Sequence, residues 1–227
     1  MTLDPSLTLE ALAAVSPKAA RHLIRLGLDP GEDAALTLAQ ACAAQELDLQ
    51  RTARELEAYP PEPPRDWMKA SLSELTAYIV ETHHAWTREE LARLQKLTDR
   101  ALAETGPVRP ELIQLKVHLA TLARDLTAHF QMEERNLFPA IRAIEKGDEP
   151  PLTLSTPSEQ ARTISAEHQV AEELFHTIRL LMGDYRVPEG ATRLHRLICL
   201  GLRNLEDDLH LHLFRENHIL FPRCLPR

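Results

Sequence analysis

Long stretches rich in Leu, Ala, Glu and Arg run along this chain, broken by Gly and Pro and with few β-branched runs. Apolar positions at helical spacing with charged residues between them predict amphipathic helices and an all-α protein. The breaks place the elements. Short helices are expected over 8–15, stopping at Ser16 and Pro17, then over 17–26, which runs into the turn Gly27 to Glu32. Two more are expected over 37–45 and 48–58, the last capped by Asp48. The Pro-rich run YPPEPPR at 59–65 reads as a stiff linker. Four longer helices follow, over 69–104, 108–146, 158–185 and 189–217, with GDEPPLTLSTPS at 147–158 as a crossover. The last is expected to end before Phe221 and Pro222. Four rods of similar size predict a four-helix up-down bundle over 66–227, behind a small helical domain over 1–58.

Two of these rods carry one pattern. Residues 125–139 read DLTAHFQMEERNLFP and residues 208–222 read DLHLHLFRENHILFP, matching at seven of fifteen positions. The shared centre is His-x-x-x-Glu, as His129 with Glu133 and His212 with Glu216. Residues four apart lie on one helix face, so each copy aims an imidazole and a carboxylate at one place. Both are common ligands for iron or zinc, and a carboxylate can bridge two metals.

The duplication extends to lone histidines. His84 precedes His168 by 84 residues, and His129 precedes His212 by 83. In an antiparallel hairpin, residues at one height are equidistant from the turn. The midpoint of His84 and His129 falls at Gly106 and Pro107, and that of His168 and His212 at Gly190. Gly and Pro break helices and form turns. Four histidines and two glutamates, namely His84, His129, Glu133, His168, His212 and Glu216, are therefore expected in one layer of the bundle core. Six convergent buried polar groups would be costly without a metal.

The neighbouring groups divide by context. Spacing alone leaves His83 and His84 open as alternatives, while the matching offsets favour His84. Asp125 and Asp208, one turn before the repeat histidines, could accept the free ring N–H of a ligand histidine or of its neighbour. Glu134 and Glu167 adjoin ligands but sit about 100° round the helix, so exposure or an outer supporting role is expected. His210 faces another side, and His118, His176, His195 and His218 lack the repeat context. Leu-Phe-Pro at 137–139 and 220–222 reads as core packing, with Pro ending or kinking the helix.

Charge and composition narrow the partners. The net charge is −8 with pI near 5.8, which argues against nucleic acid as a main partner. Three widely spaced cysteines with no CxxC suit a reducing cytoplasm. No signal segment and no apolar run long enough to span a bilayer is evident. A soluble cytoplasmic protein is expected, with no membrane partner.

With these residues in hand, the chain resembles the hemerythrin-like proteins, specifically the iron–sulfur cluster repair di-iron family. The bundle half carries THHAWTREEL, HFQMEERNLFP, SAEHQVAEEL and DDLHLHLFRENHILFPR. The N-terminal part carries LEALAAVSPKAARHLIRLGLD and LTLAQACAAQELDLQRTARELEA. The resemblance implies a non-haem centre of two Fe ions, oxo- or hydroxo-bridged, held by His84, His129, His168 and His212 with Glu133 and Glu216 as bridges. It implies a small gaseous ligand, O2 or NO, and a role in nitrosative or oxidative stress through cluster repair, with a damaged iron–sulfur protein as partner. The family also places a Cys-Cys-Gly-Gly turn where this chain has Gly31, Glu32, Asp33 and Ala34. An alternative is a sensor or binding module that takes up O2 or NO without turnover.

Overall fold

The structure is a computed structural model describing residues 3–61, 65–105, 109–149 and 155–224. It contains α-helices and no strand among the described residues. The chain forms two compact units, one of Met1–Pro64 with Val187–Asn204, the other of Arg65–Arg186 with Leu205–Arg227.

In the first unit, polar caps start each short helix. Thr8 caps α1 (Leu9–Ala13), Ser16 caps α2 (Pro17–Leu26), and Asp48 caps α4 (Leu49–Glu57), each accepting a backbone N–H of the first turn. Thr37 and Gln40 form a reciprocal capping box on α3 (Leu38–Ala44). α2 ends at Gly27, whose φ of 85° needs a residue without Cβ. The buried faces of these helices meet in a core of Leu9, Leu12, Leu23, Leu28, Leu38, Cys42 and Leu56. Three arginines of the segment 187–204 belong to the same unit. Arg193 donates to the carbonyls of Leu26 and Gln45, Arg196 to Gly27 O and Asp33, and Arg203 to Asp29.

The second unit holds four helical rods. The first is α5 (Leu72–Tyr78), a wide segment at Ile79–His84, and α6 (Ala85–Thr105). The second is α7 (Pro110–Met132), a wide segment at Glu133–Leu137, and α8 (Phe138–Lys146). The third is α9 (Pro157–Leu181), α-helical throughout, with a Thr156–Glu159 capping box. The fourth is the C-terminal part of α10 (Arg193–Arg215), a wide segment at Glu216–Leu220, and α11 (Phe221–Cys224). α6 packs on α7, and α7 on α9. Below the His/Glu layer, Leu75, Ile79, Leu137, Phe138, Ile141, Ile164, Leu220 and Phe221 form a closed apolar cluster.

The wide segments correct one expectation. The fourth rod does not end before Pro222, and the second continues past Pro139 to Lys146 as expected. In each wide segment the ladder takes an extra residue, with Phe138 N–H reaching Glu133 O and Phe221 N–H reaching Glu216 O. The α-helix then restarts, so Pro139 stands in a first turn, where its missing N–H is not needed. The fourth rod runs on to Cys224 rather than stopping near 217. Gly190 lies between α9 and α10 with a left-handed φ of 73°, as a turn requires. The other expected turn, Gly106 and Pro107, lies outside the described residues.

Candidate metal centre

The structure brings all six expected side chains together, every one of them buried. They come from all four rods of the second unit. His84 closes the first wide segment, while Glu133 and Glu216 open the other two. Single π turns inside α-helices are common at functional sites, because the extra residue re-aims side chains without breaking the rod.

Two imidazole pairs face each other through their Nε2 atoms. His84 and His212 approach to 3.2 Å, and His129 and His168 to 3.1 Å. Glu133 Oε2 lies 3.3 Å from His84 Nε2 and 3.5 Å from His129 Nε2. Glu216 reaches His212 with Oε1 at 2.9 Å and His168 with Oε2 at 3.2 Å. Each carboxylate thus touches one member of each pair. Two overlapping donor sets result: His84, His212, Glu133 and Glu216, and His129, His168, Glu133 and Glu216.

Outer groups fix the rings. Glu134 takes the Nδ1 side of His84 at 2.8 Å and is itself held by Arg88 at 2.8 Å. Glu167 takes Nδ1 of His129 at 2.8 Å, and Asn217 takes Nδ1 of His168 at 3.3 Å. An Nδ1 that donates outward leaves the Nε2 lone pair pointing inward, the form a metal ligand needs. His212 Nδ1 has no such partner, and its ring stacks on His83 at 5.3 Å with a 7° interplanar angle. Phe130 stacks on His84 at 4.0 Å and keeps that side apolar.

The donor set fits a cation. Both oxygens of Glu133 and Oε2 of Glu216 are fully buried and make no hydrogen bond within the protein. Buried carboxylate oxygens without donors are costly, and a cation is the group that satisfies them. Imidazoles and carboxylates without thiolate suit iron or manganese better than a structural zinc site.

The electrostatics of the bare protein tell the same story. Burial, then the neighbouring Glu216, raises Glu133 to about 7. Burial pushes Glu216 the same way, yet His212 and His168 outweigh it and hold that carboxyl well below its ordinary value. Burial lowers His129, but Glu133 and Glu167 outweigh it and raise the imidazole to about 9. Protons here occupy positions for which a metal would compete.

A cavity of about 220 Å³ opens beside His129 and His168, lined by Leu122, Leu126, Ala171 and Leu174, with Asp125 and Glu167 among its polar groups. It is wide enough for a small molecule.

His83, the alternative to His84, is buried but outside both donor sets. Its Nδ1 lies 3.0 Å from Asp208, and its Nε2 3.0 Å from Arg215. Asp208 therefore orients His83, the neighbour of His84. Asp125 pairs with Arg124 instead and orients no histidine. Glu134 and Glu167, expected to be exposed or supporting, are the supporting carboxylates. His210, His176 and His218 are exposed. Sequence reasoning missed Arg88 and Asn217. The repeat contained the signal for Asn217, which follows Glu216 as Glu134 follows Glu133.

In the first unit, the turn at residues 29–34 is built on an acidic side chain. Asp29 Oδ1 accepts the N–H groups of Gly31 and Glu32, while Oδ2 pairs with Arg203. Burial opposes ionisation of Asp29, but the Arg203 hydrogen bond and these N–H groups hold its carboxyl below the usual range. No thiol stands in this turn, and Cys42 is buried on α3.

Comparison with known proteins agrees with the site. Residues 75–224 match the hemerythrin HHE cation binding domain. The chain is 34% identical over 225 residues to the iron-sulfur cluster repair protein YtfE of Edwardsiella ictaluri (strain 93-146), covering 94% of each. It is 29% identical over 222 residues to the proteins of that name from Yersinia pestis (strain Pestoides F) and Yersinia pseudotuberculosis serotype O:1b (strain IP 31758), covering 96% of each. This chain belongs to the hemerythrin HHE family and, along nearly its whole length, groups with the YtfE repair proteins.

Proposed function

We infer that this chain is a non-haem di-iron protein of the iron–sulfur cluster repair type, acting in nitrosative and oxidative stress. The observation that carries this reading is that Glu133 and Glu216 each reach one histidine of both pairs. His84 and His212 would hold one iron, His129 and His168 the other, with the two carboxylates shared. Bound there, an iron pair supplies one-electron chemistry and open positions for O2 or NO. The protein's own groups do the rest. Glu134 and Glu167 hold the Nδ1 protons of His84 and His129 and fix the tautomer. Phe130 and Phe138 stack against His84 and keep water from that face. The cavity beside His129 and His168 admits a small gas.

Family membership and the names of its relatives support the repair role. Among the described residues, no helix is long and apolar enough to cross a membrane. The three cysteines are buried and form no disulfide among the described residues, which suits a reducing cytoplasm. The experiment incubates iron-loaded protein, with reductant, with an iron–sulfur enzyme damaged by NO. Recovery of enzyme activity beyond that given by the same quantity of free iron supports the reading. Stoichiometric gas binding without recovery would instead favour a sensor, the role that a thiol-free turn at 31–34 fits.

A further inference from the structure

A line of ring contacts leads from the His/Glu layer to the half-buried Trp67. His212 stacks on His83 at 5.3 Å; His83 meets the edge of Tyr78 at 5.7 Å; Tyr78 meets Trp67 at 4.3 Å. His83 is buried, whereas Tyr78 and Trp67 are half-buried. The ligand set uses none of these three outer rings. Tyr and Trp are the side chains most readily oxidised by one electron, and here they are in contact, in order, outward from a ligand.

We propose that Trp67, Tyr78 and His83 form an escape route that carries oxidising equivalents from the metal centre to the protein surface. The inference rests on the reading that the site holds a redox-active iron pair. A hydroperoxide is the oxidant. Taking up two electrons and two protons, it would give water plus an alcohol, or two waters from hydrogen peroxide, so that two electrons must be supplied from the protein. Tyr78 would supply one electron inward through the ring of His83, and its phenol would release its proton to solvent. The tyrosyl radical takes an electron and a proton from Trp67, which restores the phenol and leaves a neutral indolyl radical. A soluble thiol then supplies an electron and a proton to Trp67, and two thiyl radicals join as a disulfide. Each passage moves one electron inward and releases one proton.

Charge around the rings favours this proton-coupled form. The Arg65 guanidinium lies 5.5 Å from the Trp67 ring and 5.9 Å from Tyr78, and Arg215 lies 5.4 Å from Tyr78. A cation over a π face stabilises a neutral ring and opposes a positive one. Each ring therefore loses its proton with its electron, and the radicals that form are neutral.

The test uses the full chain after iron loading, with metal content measured first. Protein is treated with substoichiometric hydrogen peroxide without thiol, and oxidation is mapped by peptide mass spectrometry at Trp67 and at Trp86, the only other tryptophan. Wild-type loaded protein is expected to show oxidised Trp67. Tyr78→Phe keeps the ring but cannot form the phenoxyl radical, so Trp67 oxidation should fall severalfold while iron content stays the same. Added thiol should suppress the Trp67 product. A second measurement needs no metal. In metal-free Trp86→Phe protein, an indolyl radical made at Trp67 with azide radicals should decay as a tyrosyl radical rises, and this rise should vanish in Trp86→Phe/Tyr78→Phe. The rise tests electron exchange between the two rings in the reverse sense, while the outward direction is set in loaded protein by thiol draining Trp67. Equal Trp67 oxidation in loaded wild type and Tyr78→Phe overturns the route and leaves the metal assignment intact. A chain that takes up no iron overturns both.

Discussion

The two halves of the bundle carry the same ligand motif in different surroundings. In both, the residue after the shared glutamate serves the lone histidine of its own half: Glu134 holds His84, and Asn217 holds His168. In both, the residue before the lone histidine meets the repeat histidine of the other half: Glu167 holds His129, while His83 stacks on His212. The halves thus share one plan, with charged acceptors at Glu134 and Glu167 replaced by Asn217 and His83. The repeated residues set where donors point. The unrepeated neighbours hold the rings, while burial and the neighbouring Glu216 raise Glu133 to about 7 and His212 and His168 hold Glu216 well below its ordinary value.

The largest effects should come from removing what the halves share. Glu133→Ala and Glu216→Ala each take a carboxylate from both donor sets, so each should cost more than one metal's worth of binding, read as iron per chain after gel filtration. Replacing an outer partner should do less and unequally. Glu167→Ala removes a carboxylate from a ligand histidine and should weaken metal affinity by about 10–100-fold in a chelator competition. His83→Ala should leave iron content near wild type, because His83 holds no donor position. Iron loss in His83→Ala with retention in His84→Ala would reverse that assignment.

Stability separates the two aspartates of the repeat. Asp208 is buried against His83, and Asp208→Ala should cost about 2 kcal/mol, roughly 4–8 °C in Tm. Asp125 makes an exposed pair with Arg124, and Asp125→Ala should change stability by less than about 1 kcal/mol.

Proton linkage gives the smallest and most graded effect. Burial lowers His83 to about 4 despite Asp208, so its contribution is present above its ordinary value of 6.5 and is lost as pH falls from 6.5 toward 4. His129 is raised to about 9, so its contribution is present below 6.5 and is lost as pH rises from 6.5 toward 9. Glu133, raised to about 7, gains stability as pH falls from 7 toward 4.5 and offsets His83 there, so metal-free protein should weaken chiefly as pH rises toward 9. Loaded protein should melt higher than metal-free protein at neutral pH and release iron on acidification. Equal melting temperatures with and without chelator would place any metal outside the core.

Much of this was legible in the sequence because the repeat is a geometric statement. Two His-x-x-x-Glu faces and matched offsets to His84 and His168 suffice to converge six side chains. The short helices were legible from their Gly and Pro breaks and the cap at Asp48, and the structure adds caps at Thr8, Ser16 and Thr37. The wide segments were not, since no composition marks a helix that takes one extra residue. Pro139 and Pro222, each six residues beyond a shared glutamate, read as helix ends or kinks, Pro222 as an end, and instead stand where the helix restarts. The roles of Arg193, Arg196 and Arg203 were not legible in the sequence. Their partners include backbone carbonyls and the acidic side chains of Asp29, Glu32 and Asp33, more than 140 residues earlier and beyond the reach of local pattern.

The measurement that bears most directly on the centre is metal analysis with an optical spectrum after anaerobic reconstitution with ferrous iron, on wild type and Glu216→Ala side by side. Six ligands across two positions predict about two irons per chain in wild type, with near-ultraviolet absorption once oxidised, and below one in the variant. Stoichiometric zinc with no iron uptake, or iron content untouched by Glu216→Ala, would contradict the shared-carboxylate centre.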